Sequence, residues 1–276
     1  MNELQIDVSR LIEEKNPTLR KKLPRFVIRY LERIIHQQKI NAFLKENGHL
    51  KNFDFCEAAI RHLNISIDFQ GIEEIPKTGP VILVMNHPLG GVDGIAFIAA
   101  MKQHRPDLVF LVNDLLLNIT PLKELFVGVN KHGKNRSGTR EKIAAMFHST
   151  RAVCIFPAGL VSRKQHGVIK DLPWKRTFVS YAKETGHPVI PIHIEGKLSR
   201  FFYNLHRLRS LFRIKASLEM LYLADELYKQ RNKKIVFRVG KPIIISNSEA
   251  NKDEHHVAQE IKELLYEIPK DYGKNH

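Results

Sequence analysis

Apolar residues change their period near residue 65, and that change divides the chain. Leu23, Phe26, Val27, Tyr30, Leu31, Ile34 and Ile35 recur at helical spacing, with Arg25, Arg29, Arg33 and Gln37 on the other faces, which predicts an amphipathic basic helix. A second helix is expected through Phe55, Ala58, Ala59, Ile60 and Leu63, with Asn52 as its cap. The spacing then drops to two: Ile65, Ile67 and Phe69 alternate with Ser66 and Asp68, as in a half-buried strand. Pro76 and Gly79-Pro80 punctuate the entry to Val81-Ile82-Leu83-Val84-Met85, an unbroken apolar run of the kind a strand buried on both faces carries.

Further strand-like runs at 108–112, 152–156, 188–194 and 234–239 alternate with helical patterns at 94–104, 115–126, 138–149 and 174–186. That alternation predicts an α/β sheet. Between 198 and 231 apolar residues are dense, but basic residues interrupt them without a clean period; helix is expected there without a defined face. A last helix over 254–267 carries Val257, Ile261, Leu264 and Leu265 on one side, and Pro269 is expected to end it. The expected division is a helical appendage at 1–64 and a main domain at 65–276.

With 276 residues, 43% of them hydrophobic, the chain can bury one large core. Lys and Arg number 44 against 29 Asp and Glu, a net charge of +15, which favours an anionic partner: nucleic acid, a lipid surface or a phosphorylated substrate. Eight of the basic residues and one acid, Glu32, fall between Leu19 and Lys45. That balance suits a helix lying on an anionic bilayer, and equally a core helix with a solvated basic face. Only Cys56 and Cys154 are present, far apart, so neither a disulfide framework nor a zinc knuckle is indicated. The N-terminal residues do not read as a secretory signal, and the longest apolar stretch is broken by Asn86, His87, Pro88 and Asp93. A cytoplasmic chain that meets membranes only peripherally is the expectation.

The chemistry begins where the unbroken run ends. In Asn86-His87-Pro88-Leu89-Gly90-Gly91-Val92-Asp93-Gly94 a base and a carboxylate flank a glycine turn at the C-terminal end of a strand, where open α/β sheets place their ligands. The pair can activate a hydroxyl; it can also be a loop histidine bonded to a neighbour. A second strand end, Phe156-Pro157-Ala158-Gly159-Leu160-Val161-Ser162-Arg163-Lys164, offers backbone N–H groups and two cations, as an anionic substrate would need, although exposed cations on a loop are common. Gly-x-Ser-x-Gly, His-Glu-x-x-His, Gly-x-x-x-x-Gly-Lys-Ser/Thr and Gly-x-Gly-x-x-Gly are all missing, which removes support for covalent serine, zinc, nucleotide and dinucleotide chemistry. No metal is expected.

In these residues the sequence resembles the glycerolipid acyltransferases that include the 1-acylglycerol-3-phosphate acyltransferases. Asn86-His87 with Asp93 is similar to their His/Asp motif, Phe156-Pro157-Ala158-Gly159 to Phe-Pro-Glu-Gly, and Val189-Ile190-Pro191-Ile192 to a late Val-Pro strand; Gly128 to Arg136 stands where their acceptor-binding motif lies. The resemblance implies a single mixed, largely parallel sheet flanked by helices. It also implies acyl transfer from acyl-CoA or acyl carrier protein, as co-substrate rather than cofactor, to a lysolipid at the inner face of the membrane. His87 would act as general base and Asp93 would orient it. Asn86, Lys131, Lys134, Arg136, Phe156, Pro157, Ala158, Gly159, Arg163 and Lys164 would bind substrate, with Arg163 as anion clamp and N–H groups near Gly159 meeting the oxyanion.

Two departures stand out. Five residues rather than four separate His87 from Asp93, and Ala158 replaces glutamate. Both resemble a subgroup that carries the name hemolysin, and the O-acyltransferases of ornithine and glycine lipid synthesis. The rival readings are a catalytically silent lipid-binding relative and a basic nucleic-acid-binding protein; against the second, no nucleic-acid motif is present and the charge is spread over several segments.

Overall fold

The computed structural model describes residues 5–129, 136–165, 167–214, 216–245 and 253–274. Five helices come first: α1 (Val8–Lys15), α2 (Pro17–Lys22), α3 (Arg25–Ile34), α4 (Gln37–Asn47) and α5 (Asn52–His62). They are followed by β1 (Ser66–Gln70), β2 (Val81–Met85), α6 (Gly91–Met101), β3 (Val109–Asn113), β4 (Phe126–Val129), α7 (Arg136–Phe147), β5 (Ala152–Ile155), β6 (Arg163–Gln165) and β7 (Val168–Lys170). Then come α8 (Thr177–Thr185), β8 (Val189–Ile194), α9 (Arg200–Leu211), α10 (Leu223–Tyr228), β9 (Lys234–Val239) and α11 (Glu254–Lys274).

Seven strands form one sheet in the order β1-β9-β8-β2-β5-β3-β4. Every neighbouring pair is parallel except β8 with β9. The sheet is thus mixed and largely parallel, and β2 lies at its centre between β8 and β5. Its unbroken apolar run serves two cores at once: Val81, Leu83 and Met85 face one, Ile82 and Val84 the other. The first core is closed by α5 and α6 through Cys56, Ala59, Val92 and Phe97, the second by α7, α8 and α11 through Phe147, Phe178, Val179 and Ile261.

Within the first core, aromatic rings meet in series. Phe69 stacks on Phe237 at 5.1 Å, Phe237 meets Phe97 edge-on at 5.7 Å, and Phe97 meets Phe110 edge-on at 6.0 Å. Such pairs add to area burial by roughly 0.5–1.5 kcal/mol each. Cys56 lies in the same core, where burial pushes its thiol up to about 12. It packs as a small apolar side chain.

Several elements differ from the sequence expectation for identifiable reasons. The basic stretch is broken at Pro24 and again at His36, which takes a left-handed conformation (φ 56°), so α2, α3 and α4 are separate helices. The cap of α5 is Lys51 rather than Asn52; Asn52 opens the helix at φ 51°, and its side chain donates to Glu124. Over 114–125 there are two short 3-10 turns instead of one helix, with Pro121 at the head of the second, where a proline cannot donate back to the preceding turn. The half-buried edge strand β4 follows. α11 runs through Pro269 because contacts on both sides of it hold the last turns: Ile268 before it is buried, and the Tyr272 hydroxyl after it donates to the Val239 carbonyl at 2.9 Å. Residues 198–231 resolve into α9, a 3-10 turn (Leu218–Tyr222) and α10.

Phe237→Ala removes the ring that two others contact and leaves a cavity in the first core. It should lower unfolding free energy by about 3–5 kcal/mol, read from the urea midpoint at unchanged slope.

Candidate active site

β2 delivers Asn86 and His87 to its C-terminal end, at the middle of the sheet. The side-chain amide of Asn86, buried, donates to the Ile194 carbonyl at 2.9 Å and accepts from the Ile194 N–H at 2.6 Å. Its polar atoms are therefore occupied in joining the ends of β2 and β8. These are the polar atoms with which Asn86 is expected to bind substrate, and here they are bonded to Ile194.

Gly90 then turns the chain (φ 74°, ψ −142°), and Gly91 begins α6, which places Asp93 in the first helical turn. The extra residue in the His87–Asp93 spacing is taken up in this turn. His87 Nδ1 lies 3.0 Å from Asp93 Oδ2, and the same oxygen accepts the Leu89 N–H at 2.9 Å. The Asp93 side chain is fully buried, whereas that of His87 is 18% exposed. Burial pushes the Asp93 carboxyl above the ordinary carboxylate value, opposed by the bonds from His87 and Leu89. The N-terminal dipole of α6 also favours the anion. When Asp93 is ionised its oxygens only accept, and Nδ1 is then the ring nitrogen that donates to it.

The ring and its backbone are held on several sides. Phe156 stacks against the imidazole, centroids 4.2 Å apart and planes 25° apart, and itself stacks on Phe110 at 5.8 Å. The His87 N–H donates to Asp171 Oδ1 at 3.2 Å, and the His87 carbonyl accepts the Ser162 N–H at 2.8 Å. Asp171, fully buried, also accepts the Ser162 hydroxyl at 2.5 Å and the Trp174 indole N–H at 2.9 Å. Gly196 (φ 149°) passes against Leu89: a Cβ there would lie 2.6 Å from a Leu89 methyl, so a side chain at 196 would force the Leu89 side chain to shift.

The second strand end closes the site. Phe156-Pro157-Ala158-Gly159 makes a tight turn in which the Gly159 N–H (φ 66°) donates to the Phe156 carbonyl at 2.9 Å, so that particular donor is not available to a ligand. Ala158 is buried in the second core, which leaves only its backbone to face a ligand. The Lys175 N–H donates to the Pro157 carbonyl at 3.1 Å, and its ammonium stands over the turn, 2.6 Å from where a Gly159 Cβ would be.

Arg163, the expected anion clamp, is buried and paired within the protein. Its guanidinium is buried, donates to the Val161 carbonyl at 2.7 Å, pairs with the fully buried Glu219 at 3.4 Å and lies 5.2 Å from the Phe202 ring centroid. Burial lowers its pKa, with Glu219 opposing that shift. Lys164 is exposed on β6. Lys131 and Lys134 lie outside the described residues, and Arg136 opens α7. Asp171, Lys175 and Gly196 were not singled out from the sequence; the partner of Asp171 is 84 residues away, and no local pattern marks it.

The sequence profile described as "Acyltransferase" matches residues 10–266. The lyso-glycine lipid O-acyltransferase of Bacteroides thetaiotaomicron is 40% identical over 264 residues, covering 95% of this chain and 97% of that protein. The enzyme of the same name from Phocaeicola vulgatus is 39% identical, covering 95% of each. Among solved structures, the 1-acyl-sn-glycerophosphate acyltransferase PlsC of Thermotoga maritima aligns with a TM-score of 0.47 and 16% identity, over 95% of this chain and 91% of that one.

Arg163→Lys keeps the charge and loses the planar fork that reaches both Val161 and Glu219. It should cost about 1–3 kcal/mol of stability, measured by urea denaturation. A midpoint equal to that of the parent would return Arg163 to the ligand-binding set.

Proposed function

The chain belongs to the acyltransferase family, and from that premise we propose that it moves a fatty acyl group from an acyl thioester to the hydroxyl of a lysolipid, with His87 as general base. The observation that carries this reading is the 3.0 Å contact between His87 Nδ1 and Asp93 Oδ2, which leaves Nε2 as the proton acceptor on a partly exposed ring.

In the proposed step the acceptor hydroxyl gives its proton to Nε2 while its oxygen attacks the thioester carbonyl carbon. Asp93 stabilises the imidazolium that forms. The tetrahedral oxyanion collapses, the carbon–sulfur bond breaks, and the departing thiolate takes the proton from Nε2. The Leu160 N–H, which takes no partner among the described residues, is the proposed donor to the oxyanion. The donor is a thioester of coenzyme A or of acyl carrier protein.

For the acceptor, the two relatives named for lyso-glycine lipid favour a glycine head group. A glycine attached through its amine leaves a carboxylate. Lys175 over the Pro157–Gly159 turn, with Lys164 nearby in sequence, supplies cations for it. Because such an acceptor resides in a bilayer, α3 and its basic neighbours are assigned to the anionic inner surface of the membrane. Among the described residues no helix is long and apolar enough to cross one.

His87→Ala should reduce turnover by about two to four orders of magnitude while thermal unfolding and vesicle binding stay as in the parent. Full activity in that variant would refute the assignment. In parallel assays lyso-glycine lipid should be acylated faster than lysophosphatidic acid, and Lys175→Ala should raise the KM for the glycine lipid by roughly tenfold. Equal use of both acceptors, with KM unmoved, would remove the carboxylate reading.

A further inference from the structure

The apolar residues of α3 do not form one face. Ile28 and Ile34 turn inward, whereas Phe26, 71% exposed, and Tyr30 stand outside. Tyr30 leads to a second element: its hydroxyl lies 2.5 Å from that of Tyr222, and the Tyr222 ring meets Phe201 of α9 edge-on at 4.8 Å. Along α9 and past its end, Leu208, Leu211 (73% exposed) and Phe212 (70%) continue outside at positions i, i+3 and i+4. The chain then reverses through Arg213, held at φ 52°, and Ile214, which is exposed as well. Single exposed apolar residues are ordinary; a stripe of them joined to a second exposed group marks a docking face.

This tip is held in place rather than loose. Glu219, at the return of the chain, is fully buried, 3.4 Å from Arg163, 3.2 Å from His206 and 2.9 Å from Arg209. Burial alone would raise its carboxyl; its own backbone N–H, His206, Arg209 and Arg163 hold it below the usual glutamate value. The rest of the charge is one-sided. Residues 196–218 contain six Lys or Arg and no acid, and Leu19 to Lys45 contain eight and one. Apolar side chains set among arginines match an anionic lipid surface, with the chains in the acyl boundary and the guanidinium groups at the phosphates. Docking on a second copy would set these cations against one another. The chain returning from this tip reaches the site: Leu223, next after the 3-10 turn, lies 3.3 Å from where a Gly90 Cβ would be.

We propose that the α9 tip, Leu208 to Ile214, is a second membrane foot that works with Phe26 and Tyr30 to seat the His87 turn against an anionic bilayer. The proposal rests on the lysolipid reading for its purpose, but the binding is measured without substrate.

The experiment is flotation of the full chain with vesicles of phosphatidylcholine alone and of phosphatidylcholine mixed with phosphatidylglycerol. The parent should float with the mixed vesicles and lose binding as salt rises. Leu211→Ser/Phe212→Ser and Arg207→Gln/Arg213→Gln should each weaken partition by roughly tenfold or more, with melting curves unchanged. A serine variant that floats like the parent overturns the proposal, as does a parent that does not float. So does a parent that self-associates in sedimentation without vesicles when the serine variant does not, since the face would then belong to a second copy. Partition that behaves as expected in a protein that transfers no acyl group would uphold the foot and refute the acyltransfer reading.

Discussion

One carboxylate oxygen, Oδ2 of Asp93, accepts the Leu89 N–H and lies 3.0 Å from His87 Nδ1, and the orientation of the imidazole follows from its being held there. A fully buried carboxylate costs free energy, since water no longer solvates it. The cost is offset by those two donors and by the first turn of α6, whose unpaired N–H groups favour negative charge. Oδ1 has no hydrogen-bond partner among the described residues, so the balance falls on Oδ2. The ring is thereby held through one of its nitrogens, Nδ1.

The fold converges on that ring from both cores. From the first, the aromatic series runs from Phe237 through Phe97 and Phe110 to Phe156 and ends on the imidazole itself. From the second, Trp174 and Tyr266 bracket Asp171, which receives the His87 N–H. β2 makes both possible because its alternate residues enter opposite cores while its end projects past the sheet. His87 thus follows directly on a strand buried along its whole length, although the ring itself reaches solvent.

How much of this was legible in the sequence varies with the range of the interaction. Val81 to Met85 declared a strand buried on both faces, and Gly90 between His87 and Asp93 declared a turn; both are local patterns, and both elements are present. β4 was missed because Phe126-Val127-Gly128-Val129 is short, half-buried and contains a glycine. The charge of Arg163 is visible in the sequence, whereas its pairing with Glu219, 56 residues later, is not. The same holds for Asn86, whose partner Ile194 lies 108 residues away. α3 shows a subtler limit: helical spacing groups Phe26 and Tyr30 with Ile34, but period alone does not distinguish a side chain facing the core from one facing outward.

The fit of Gly196 against Leu89 reaches further than its size suggests. The two positions lie on different segments, yet the side chain that one of them lacks is the space that the other fills. Any redesign of this site inherits that coupling. A smaller residue at 89 would relieve the clash but not the backbone strain that φ 149° imposes on any side chain at 196, so the two positions are coupled in one direction only: 196 stays glycine, while 89 serves Asp93 through its backbone N–H whatever side chain it carries.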